Sequence, residues 1–471
     1  MLPASKTALT LDASLKPSPF ASLGNEPAQA APRFPLSPHA SRSPWTSLPD
    51  PSDSRQRRRA EQWSGIVRDQ LETYLAYSGE EESTVQSLRD FCQDKLFDAH
   101  TFGPAADPEK FDLQPTAPWK SFVADDASPA EFSLAISDSY VKTRLVFEPT
   151  PLYRQQMDGH VELDTVNALA PLRWARRNRS LNRYTNFDWL ERLAAQLVLP
   201  ASEASKYPVA QQLTQVAYGV EMIKELPVLK AYFGIDAIAR AKKISKEVLL
   251  QRSLASLGFS QGWNTIHAYL DAVNARRPRD EPLATAEFIG FDCVEPNKSR
   301  MKVYVRFRSI ANADDLVSHL NMNGKSDRVS LAEQSRWAVT LWDHLCAPQT
   351  SNVTCSELQD QDERVRGALV YYELTMDNQT PRAKFYLPVR HFFRTDFELA
   401  RRLDDFLHQH HLRPKGWYQE LCKKLATHRS LDSRSGLQTI VGCAHKKGRL
   451  ELTVYFSTEM YAPERWASAP F

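Results

Sequence analysis

Glycine is scarce in this sequence and lacks the spacings of nucleotide-binding loops. The chain of 471 residues has 16 glycines, about half the share of an average globular protein. No two of them have the spacing i,i+2 or i,i+5, which excludes the G-x-G-x-x-G dinucleotide turn and the G-x-x-x-x-G-K phosphate loop. A phosphorylated ligand would therefore have to be bound by side chains.

A charge excess, cysteine pairs and long apolar runs are also missing. The formal net charge is +2, so the chain lacks the basic excess of a general nucleic-acid binder. The six cysteines include no C-x-x-C pair, which argues against a zinc ribbon or a redox dithiol and indicates reduced thiols in a cytoplasmic protein. No apolar run approaches about 18 residues and no secretory signal opens the chain, so no membrane span is predicted.

Proline divides the chain into two parts. Residues 1–59 hold 10 of the 30 prolines, interleaved with serine and alanine, and end in a cluster of arginines. Such a segment buries too little apolar surface to offset its ordering entropy, so we predict a disordered N-terminal extension. Residues 60–471 have a uniform composition without a second linker, which predicts a single domain.

Helical and strand signals alternate in blocks beyond residue 60. Apolar positions at helical spacing occur in Trp63–Tyr77, Trp189–Val198, Val248–Leu257, Trp263–Val273, Leu331–Leu345 and Phe397–Phe406. Strand character occurs in Glu131–Ile136, Thr143–Phe147, Val228–Phe233, Ala286–Phe291, Arg300–Phe307, Ala368–Leu374, Ala383–Val389, Leu437–Cys443 and Leu450–Phe456. Short strand connections such as Asp292 to Ser299 predict antiparallel hairpins in one closed sheet covered by helices, an α+β fold.

The most informative motif is a basic residue followed two positions later by tyrosine, always within a predicted strand. It occurs as Lys230-x-Tyr232, Arg300-x-Lys302-x-Tyr304 and Lys384-x-Tyr386, and a fourth strand ends in Tyr455 without the basic residue. The period of a strand is two, so these side chains share one face of their strand. The tyrosines recur every 69 to 82 residues, which indicates a repeated unit of two helices and two strands.

A strand face with lysine, arginine and tyrosine makes a poor apolar core but a good lumen inside a closed sheet. Cations without carboxylate neighbours favour a polyanion such as diphosphate, which arginine binds through two oxygens at once. The tyrosine ring faces would attract a carbocation by about 0.5–2 kcal/mol each when desolvated. The alternative is a solvent-facing side of an amphipathic sheet, against which the three repeats argue.

One carboxylate stands at the head of a predicted strand. Glu131, paired with Arg144 across the hairpin, would accept a hydrogen bond from a substrate N–H or O–H at the lumen mouth. No H-E-x-x-H or D-D-x-x-D motif is present, so no metal site is predicted. Gly258–Gly262 matches G-x-S-x-G without the preceding strand that a nucleophile elbow needs, and His408–His411 precede a helix-stop signature.

Several short motifs follow one another along the chain. They are Trp119-Lys120-Ser121-Phe122, Glu131-Phe132-Ser133, Arg144-Leu145-Val146-Phe147-Glu148-Pro149, Leu229-Lys230-Ala231-Tyr232-Phe233, Ser299-Arg300-Met301-Lys302-Val303-Tyr304 and Lys384-Phe385-Tyr386-Leu387-Pro388-Val389. Together, and in this order, they resemble the fungal dimethylallyltryptophan synthase family of aromatic prenyltransferases. The resemblance covers about Ala60 to Tyr461, and the combination of motifs is specific although each motif is short.

The resemblance implies a fold, a reaction and roles for residues. The fold would be a closed barrel of ten antiparallel strands ringed by α-helices, built from repeated ααββ units. The reaction would move a dimethylallyl group, or a longer one, from its diphosphate to an aromatic acceptor, usually an indole, through an allyl cation and without a metal or other cofactor. Arg144, Lys230, Arg300, Lys302 and Lys384 would bind the diphosphate, Tyr232, Tyr304, Tyr386 and Tyr455 would shield the cation, and Glu131 would bind the indole N–H or a phenol O–H.

Departures from the family's pattern leave the acceptor open. Members that prenylate free tryptophan at C4 carry a lysine upstream of the first basic-x-tyrosine strand, and Thr214–Tyr218 contains none. Thr439 and Glu451 stand where many relatives have further tyrosines, and Gly367 and Ala368 would leave room for a longer donor. A phenolic acceptor such as tyrosine or a xanthone and a non-catalytic ligand-binding barrel remain alternatives. A homodimer is left open, and neither nucleic acid nor membrane is expected as a partner.

Overall fold

Ten antiparallel strands close into a barrel in which each strand pairs with its neighbours in the sequence and the last pairs with the first. In chain order they are β1 (Ala130–Ile136), β2 (Val141–Phe147), β3 (Val216–Ile223), β4 (Leu226–Gly234), β5 (Ala284–Asp292), β6 (Arg300–Phe307), β7 (Ala368–Thr375), β8 (Arg382–Leu387), β9 (Gln438–Lys446) and β10 (Arg449–Ser457). A separate ribbon pairs Arg154–Gln155 with Val161–Glu162. The predicted closed antiparallel sheet is confirmed.

The structure is a computed structural model of the chain. It describes residues 54–97, 120–149, 154–155, 161–162, 168–200, 203, 206–207, 213–276, 282–308, 310, 312–327, 331–346, 367–446 and 448–466. The first helix begins at Ser54, so the last residues of the predicted extension are helical. Residues 1–53 and the motif residue Trp119 lie outside the described residues, and the disorder of the extension stays a prediction.

Helices surround the barrel and precede its hairpins. They are α1 (Ser54–Tyr77), α2 (Glu82–Lys95), α3 (Leu169–Arg177), α4 (Asp188–Leu197), α5 (Asp236–Lys242), α6 (Lys246–Ser256), α7 (Ser260–Ala275), α8 (Ala313–Asn321), α9 (Leu331–Cys346), α10 (Asp396–Gln409), α11 (Trp417–Leu425) and α12 (Pro463–Trp466). In the described part of the chain, two helices precede each hairpin except the third, which follows three. This order confirms the repeated unit. No helix within the described residues is long and apolar enough to span a membrane.

The alternation of each strand gives the barrel two different faces. Along β2 the buried Leu145 and Phe147 alternate with the half-buried Arg144, because successive side chains of a strand point to opposite faces. The buried apolar face packs on the helices: Trp174 of α3 lies against Phe147 and Tyr218, with ring centroids 4.9 and 4.7 Å apart. Each large apolar side chain buried there contributes about 1.5–3 kcal/mol, so the core lies between barrel and helices and leaves the lumen free for polar residues.

Two motifs that resemble catalytic patterns have structural explanations. The G-x-S-x-G match lies in the turn between α6 and α7, where Gly258 adopts a φ of +90° and Ser260 begins a helix. No strand precedes Ser260, so the elbow context is absent, as predicted. Helix α10 begins after its N-cap Thr395, whose hydroxyl oxygen accepts a hydrogen bond from the Glu398 N–H. The helix ends at Gln409, where His410 packs on Phe406 with ring centroids 4.4 Å apart. No group of potential metal ligands occurs among the residues that the structure describes.

Candidate active site

The lumen face of the barrel gathers nine of the ten predicted site residues around one cavity of about 140 Å³. Five of them form what we call the cationic layer, namely Arg144, Lys230, Arg300, Lys302 and Lys384. Tyr232, Tyr304 and Tyr386 lie two residues further along β4, β6 and β8, and Tyr455 lies on β10, which carries no cation of this layer. Since every second residue of a strand faces the same side, the repeated basic-x-tyrosine motif becomes two successive levels of one lumen. Glu131 does not line this cavity.

Glu221 of β3 lies between two residues of the cationic layer. One of its oxygens contacts Arg144 Nη2 at 3.1 Å and the other contacts Lys230 Nζ at 2.6 Å. A second carboxylate, Glu451 of β10, lies 4.0 Å from Arg144 and accepts a hydrogen bond from the Tyr140 hydroxyl at 2.6 Å. Burial alone would raise the pKa of Glu221, but Lys230 and Arg144 hold it well below its ordinary range. This carboxylate is therefore ionised.

Asp292, the last residue of β5, bridges a second pair of cations. It lies 2.7 Å from Arg300 Nε and 3.6 Å from Lys302 Nζ, while Glu373 of β7 lies 3.4 Å from Arg300 Nη1. Although burial opposes it, Lys302 and Arg300 lower the pKa of Asp292 to about 2. Burial lowers the pKa of Lys302 to about 8. The expectation that the cations lack carboxylate neighbours is wrong, because the strands flanking β6 bring Asp292 and Glu373 to the same level.

A layer of aromatic rings lies next to the cations. We call it the aromatic layer: Tyr232, Phe288, Tyr304, Tyr371, Tyr386 and Tyr455. Phe288 stacks on Tyr304 with centroids 4.2 Å apart, and Tyr386 lies 5.8 Å from Tyr455. Burial raises the pKa of Tyr304 and Tyr386 well above the ordinary value, so their hydroxyls are un-ionised. Lys384 Nζ lies 5.0 Å from the centroid of Tyr386, which shows that a ring of this layer accommodates a positive charge on its face.

Phe288 and Tyr371 belong to the aromatic layer but were not predicted from the sequence. Each lies on the first strand of a hairpin and pairs with Tyr304 across the sheet. Neither follows a basic residue at i−2, so the motif that identified the other tyrosines misses them. A weaker signal was available at Tyr371-x-Glu373, where an aromatic ring and a charge share one strand face.

Glycines in the first strands of hairpins make room for the tyrosine rings. A Cβ atom on Gly290 would lie 2.6 Å from Tyr232 Cδ1, and one on Gly442 would lie 2.7 Å from Tyr386 Cδ1. Such distances are shorter than van der Waals contact, so a ring would have to move. Gly290 and Gly442 therefore serve the aromatic layer through close approach.

Gly290→Ala is expected to destabilise the protein by about 1–3 kcal/mol, because overpacking displaces the Tyr232 ring. Urea unfolding measures the change. Gly65→Ala is the matched control: this glycine lies inside α1 with no atom near the added Cβ, so the same substitution should stabilise the protein by about 0.5–1 kcal/mol. Equal stability of the two variants would contradict the close approach of Gly290 and Tyr232.

Glu131 lies on the lumen face of β1, two residues before Ser133, which lines the cavity. Thr439 Oγ1 of β9 donates a hydrogen bond to Glu131 Oε1 at 2.8 Å. Burial raises the pKa of Glu131 to about 8. Arg144 stands opposite Ser133 in the β1–β2 pairing, so the predicted pair of Glu131 with Arg144 is wrong by two residues of register.

The two small residues at the start of β7 do not widen the lumen. Ala368 is buried in the core between barrel and helices. Gly367 has a φ of +83°, and a Cβ there would lie 1.7 Å from the carbonyl oxygen of Phe307. The lumen face of β7 instead carries Leu369 and Tyr371. The expected room for a longer donor at Gly367 and Ala368 is therefore absent.

Known proteins match most of this chain. Residues 60–420 match the family model described as tryptophan dimethylallyltransferase. The 4-O-dimethylallyl-L-tyrosine synthase of Claviceps purpurea is 26% identical over 84% of this chain and 87% of that protein. The 7-dimethylallyltryptophan synthase of Aspergillus fumigatus is 24% identical over 74% of each. These names favour the enzyme over a non-catalytic barrel.

Solved structures show the same fold. AnaPT from Neosartorya fischeri superposes with a TM-score of 0.67 at 18% identity, over 84% of this chain and 94% of that one. The 5-dimethylallyl tryptophan synthase from Streptomyces coelicolor, in complex with DMASPP and Trp, superposes with a TM-score of 0.59 at 18% identity, over 85% and 96%. At these identities the likeness establishes the barrel and leaves the substrate to be argued from the site.

Proposed function

The chain belongs to the tryptophan dimethylallyltransferase family of aromatic prenyltransferases, and on this basis we propose that it transfers a dimethylallyl group from its diphosphate to an indole-containing acceptor without a metal ion. The observation that carries the proposal is the contact between the cationic layer and the aromatic layer around one cavity. The cationic layer suits a diphosphate anion by its charge, and the aromatic layer suits the allylic carbons attached to that anion.

The first step is cleavage of the bond between the allylic carbon and the diphosphate oxygen. The electron pair leaves with the oxygen, so negative charge grows on the diphosphate and positive charge on the allyl group. Arg144, Lys230, Arg300, Lys302 and Lys384 stabilise the leaving group with charges that are in place before the reaction. Their side chains replace both the glycine loop and the metal-binding aspartates that the sequence lacks.

The aromatic layer protects the allyl cation until the acceptor attacks. Ring faces attract the cation by about 0.5–2 kcal/mol each and exclude water that would convert it to an alcohol. The hydroxyls must also stay un-ionised, because a phenolate in the wall would itself capture the cation. The raised pKa of Tyr304 and Tyr386 supports this requirement.

Glu131 is proposed to bind the acceptor. Its ionised carboxylate accepts a hydrogen bond from the indole N–H, which increases the electron density of the ring that attacks the allyl cation. A new bond joins the ring to the allylic carbon, and loss of the proton from the attacked position restores aromaticity. The lumen face of β3 offers Ala217, Gly219 and Glu221 but no lysine for that proton.

A phenolic acceptor is the second candidate. The Claviceps purpurea relative is named as a synthase of 4-O-dimethylallyl-L-tyrosine, and Glu131 would accept a hydrogen bond from a phenol O–H as readily as from an N–H. The oxygen would then attack the allyl cation and lose its proton. Since Glu131 would serve either acceptor, the assay must include both.

One assay tests the proposal. The protein is incubated with dimethylallyl diphosphate and EDTA and with L-tryptophan, a tryptophan-containing cyclic dipeptide, L-tyrosine or a xanthone. The expected result is a product that has gained one prenyl unit by mass, together with one equivalent of diphosphate. Product with the indoles supports the first candidate, and product with the phenols alone supports the second. The absence of both product and diphosphate release with every acceptor would reject the proposal.

The pH dependence of kcat/KM should be bell-shaped with a maximum near pH 8. Glu131 has a pKa raised to about 8 and is needed ionised, so activity rises as pH increases through that value. Lys302 has a pKa lowered to about 8 and is needed protonated, so activity falls as pH increases further. The measurement is initial rate from pH 6 to 10. Lys302→Arg keeps its charge and should remove the alkaline limb; a limb unchanged in this variant would contradict the assignment.

A further inference from the structure

Glu221 shares its two oxygens between two cations. It contacts Arg144 Nη2 at 3.1 Å and Lys230 Nζ at 2.6 Å. Donors remain on both partners: Arg144 Nε is buried and makes no hydrogen bond within the described residues, and a lysine ammonium has three N–H groups. Glu221 thus fixes both head groups without occupying all their donors.

Asp292 has the same relation to the next two cations. Its Oδ2 lies 2.7 Å from Arg300 Nε, and its Oδ1 lies 3.6 Å from Lys302 Nζ. The second distance is too long for a hydrogen bond. The ammonium of Lys302 is therefore attracted to Asp292 by charge without donating a hydrogen bond to it.

We propose that Glu221 and Asp292 are positioning residues that arrange four cations in two pairs, one pair for each phosphate group of the diphosphate. This inference rests on the proposed function. Like charges in a poorly solvated lumen repel strongly, and a carboxylate between them offsets the repulsion and fixes their spacing. Each pair of cations shares one bridging carboxylate, while Glu451 beside Arg144 and Glu373 beside Arg300 offset further positive charge at the edge of the layer.

A competing role makes the opposite prediction. If the carboxylates only competed with diphosphate for the cations, removing them would tighten donor binding and leave kcat unchanged or higher. If they position the cations, a displaced carboxylate should lower kcat even when its charge is kept. Variants that differ from the wild type only in side-chain length therefore distinguish the two roles by their kcat and KM.

Glu221→Asp and Asp292→Glu test the position without changing the charge. Each moves the carboxylate by one methylene, and a displacement of about 1 Å in a reacting site lowers turnover by up to about 10²-fold. We expect kcat to fall by about 10- to 100-fold, with an unchanged circular dichroism spectrum. Wild-type kcat in both variants would overturn the proposal.

Glu221→Gln and Asp292→Asn test the charge. Asp292 raises the pKa of Lys302 against the effect of burial, so Asp292→Asn should also move the alkaline limb of kcat/KM to lower pH, which a purely structural role would not do. Glu203→Gln is the control, because it removes a carboxylate paired with Lys242 outside the barrel and should change neither kcat nor the limb. Tighter donor binding with undiminished kcat in the neutral variants would overturn the proposal in favour of competition.

Binding of inorganic diphosphate separates this proposal from the proposed function. Calorimetry of the wild type, Glu221→Asp and Asp292→Glu needs no acceptor and no turnover. We expect the affinity to be at least about 10-fold weaker in the two variants, in line with the cost of misplacing a charged contact. If the two variants bound diphosphate more weakly but the wild type prenylated no acceptor, the proposed prenyl transfer would be rejected and the proposed pairing of the cations would stand. Equal affinity in all three proteins would reject the pairing whatever the wild type catalyses.

Discussion

Lys230→Met is expected to lower kcat for prenyl transfer by about 10²–10³-fold, the usual cost of removing one preorganised group that stabilises charge in a transition state. Lys230 lies in the cationic layer and lines the cavity. The charge that grows on the leaving diphosphate would meet one cation fewer. Methionine keeps most of the length and volume of the side chain, and Arg144 still contacts Glu221 at 3.1 Å, so the fold should survive.

Diphosphate release at saturating acceptor measures this effect, and thermal unfolding monitors the fold. Lys242→Met is the matched control. This lysine belongs to α5, outside the lumen, and pairs with Glu203. The control should retain wild-type kcat. Lys230→Arg restores the charge and should recover part of the rate. A kcat of Lys230→Met equal to that of Lys242→Met would show that the leaving group is not bound in the cationic layer.

Glu131→Gln is expected to lower the acceptor-dependent rate by about 10²–10⁴-fold, the range of contributions from a positioned acid or base. An amide keeps the shape of the side chain and still accepts the hydrogen bond from Thr439, which is 2.8 Å long in the wild type. It lacks the negative charge that the proposed hydrogen bond from the acceptor N–H or O–H requires. Donor ionisation does not depend on Glu131, so a larger share of the prenyl groups should leave as the alcohol formed with water.

Glu148→Gln is the control for Glu131→Gln. Glu148 is also a buried carboxyl that accepts a hydrogen bond from a threonine, Thr214, at 2.8 Å, and burial raises its pKa to about 7. Because the charge of Glu148 also contributes to raising the pKa of Glu131 to about 8, the comparison is made above that pH, where the control should keep the acceptor-dependent rate. Quantifying prenylated acceptor and prenyl alcohol in the same reactions gives both rates. An unchanged ratio of the two products in Glu131→Gln would exclude Glu131 from acceptor binding.

The site residues on the second strands of the hairpins could be predicted from the sequence, because the motif that identifies them lies within one strand. A basic residue and a tyrosine at i and i+2 share a strand face wherever the strand forms, and no knowledge of the neighbouring strand is needed. The strand β3 was missed, since Gly219 and Glu221 break its apolar pattern on the lumen side. Both residues have roles that only the barrel reveals, one beside the Tyr232 ring and one between Arg144 and Lys230.

The carboxylates of the site could not be predicted because they depend on the register between strands. Glu373 of β7 stands opposite Lys302, although a long stretch of chain separates them. The predicted pair of Glu131 and Arg144 was wrong for the same reason, as a shift of two residues places Ser133 there instead. Register follows from the pairing of whole strands, and a single sequence without its partner strand does not specify it.

The pairing of β10 with β1 closes the lumen, and its place in the sequence controls when a working lumen can exist. The contact between Glu131 and Thr439 across this part of the barrel spans 308 residues. Contacts of such sequence separation form slowly, because the loop-closure entropy is lost before the contact is gained. During synthesis the N-terminal repeats leave the ribosome first, with their cations and rings on an open sheet. An open sheet admits water on both sides, so a partly made chain would bind diphosphate weakly and could not protect an allyl cation. The order of the repeats thus couples completion of the chain to the onset of catalysis.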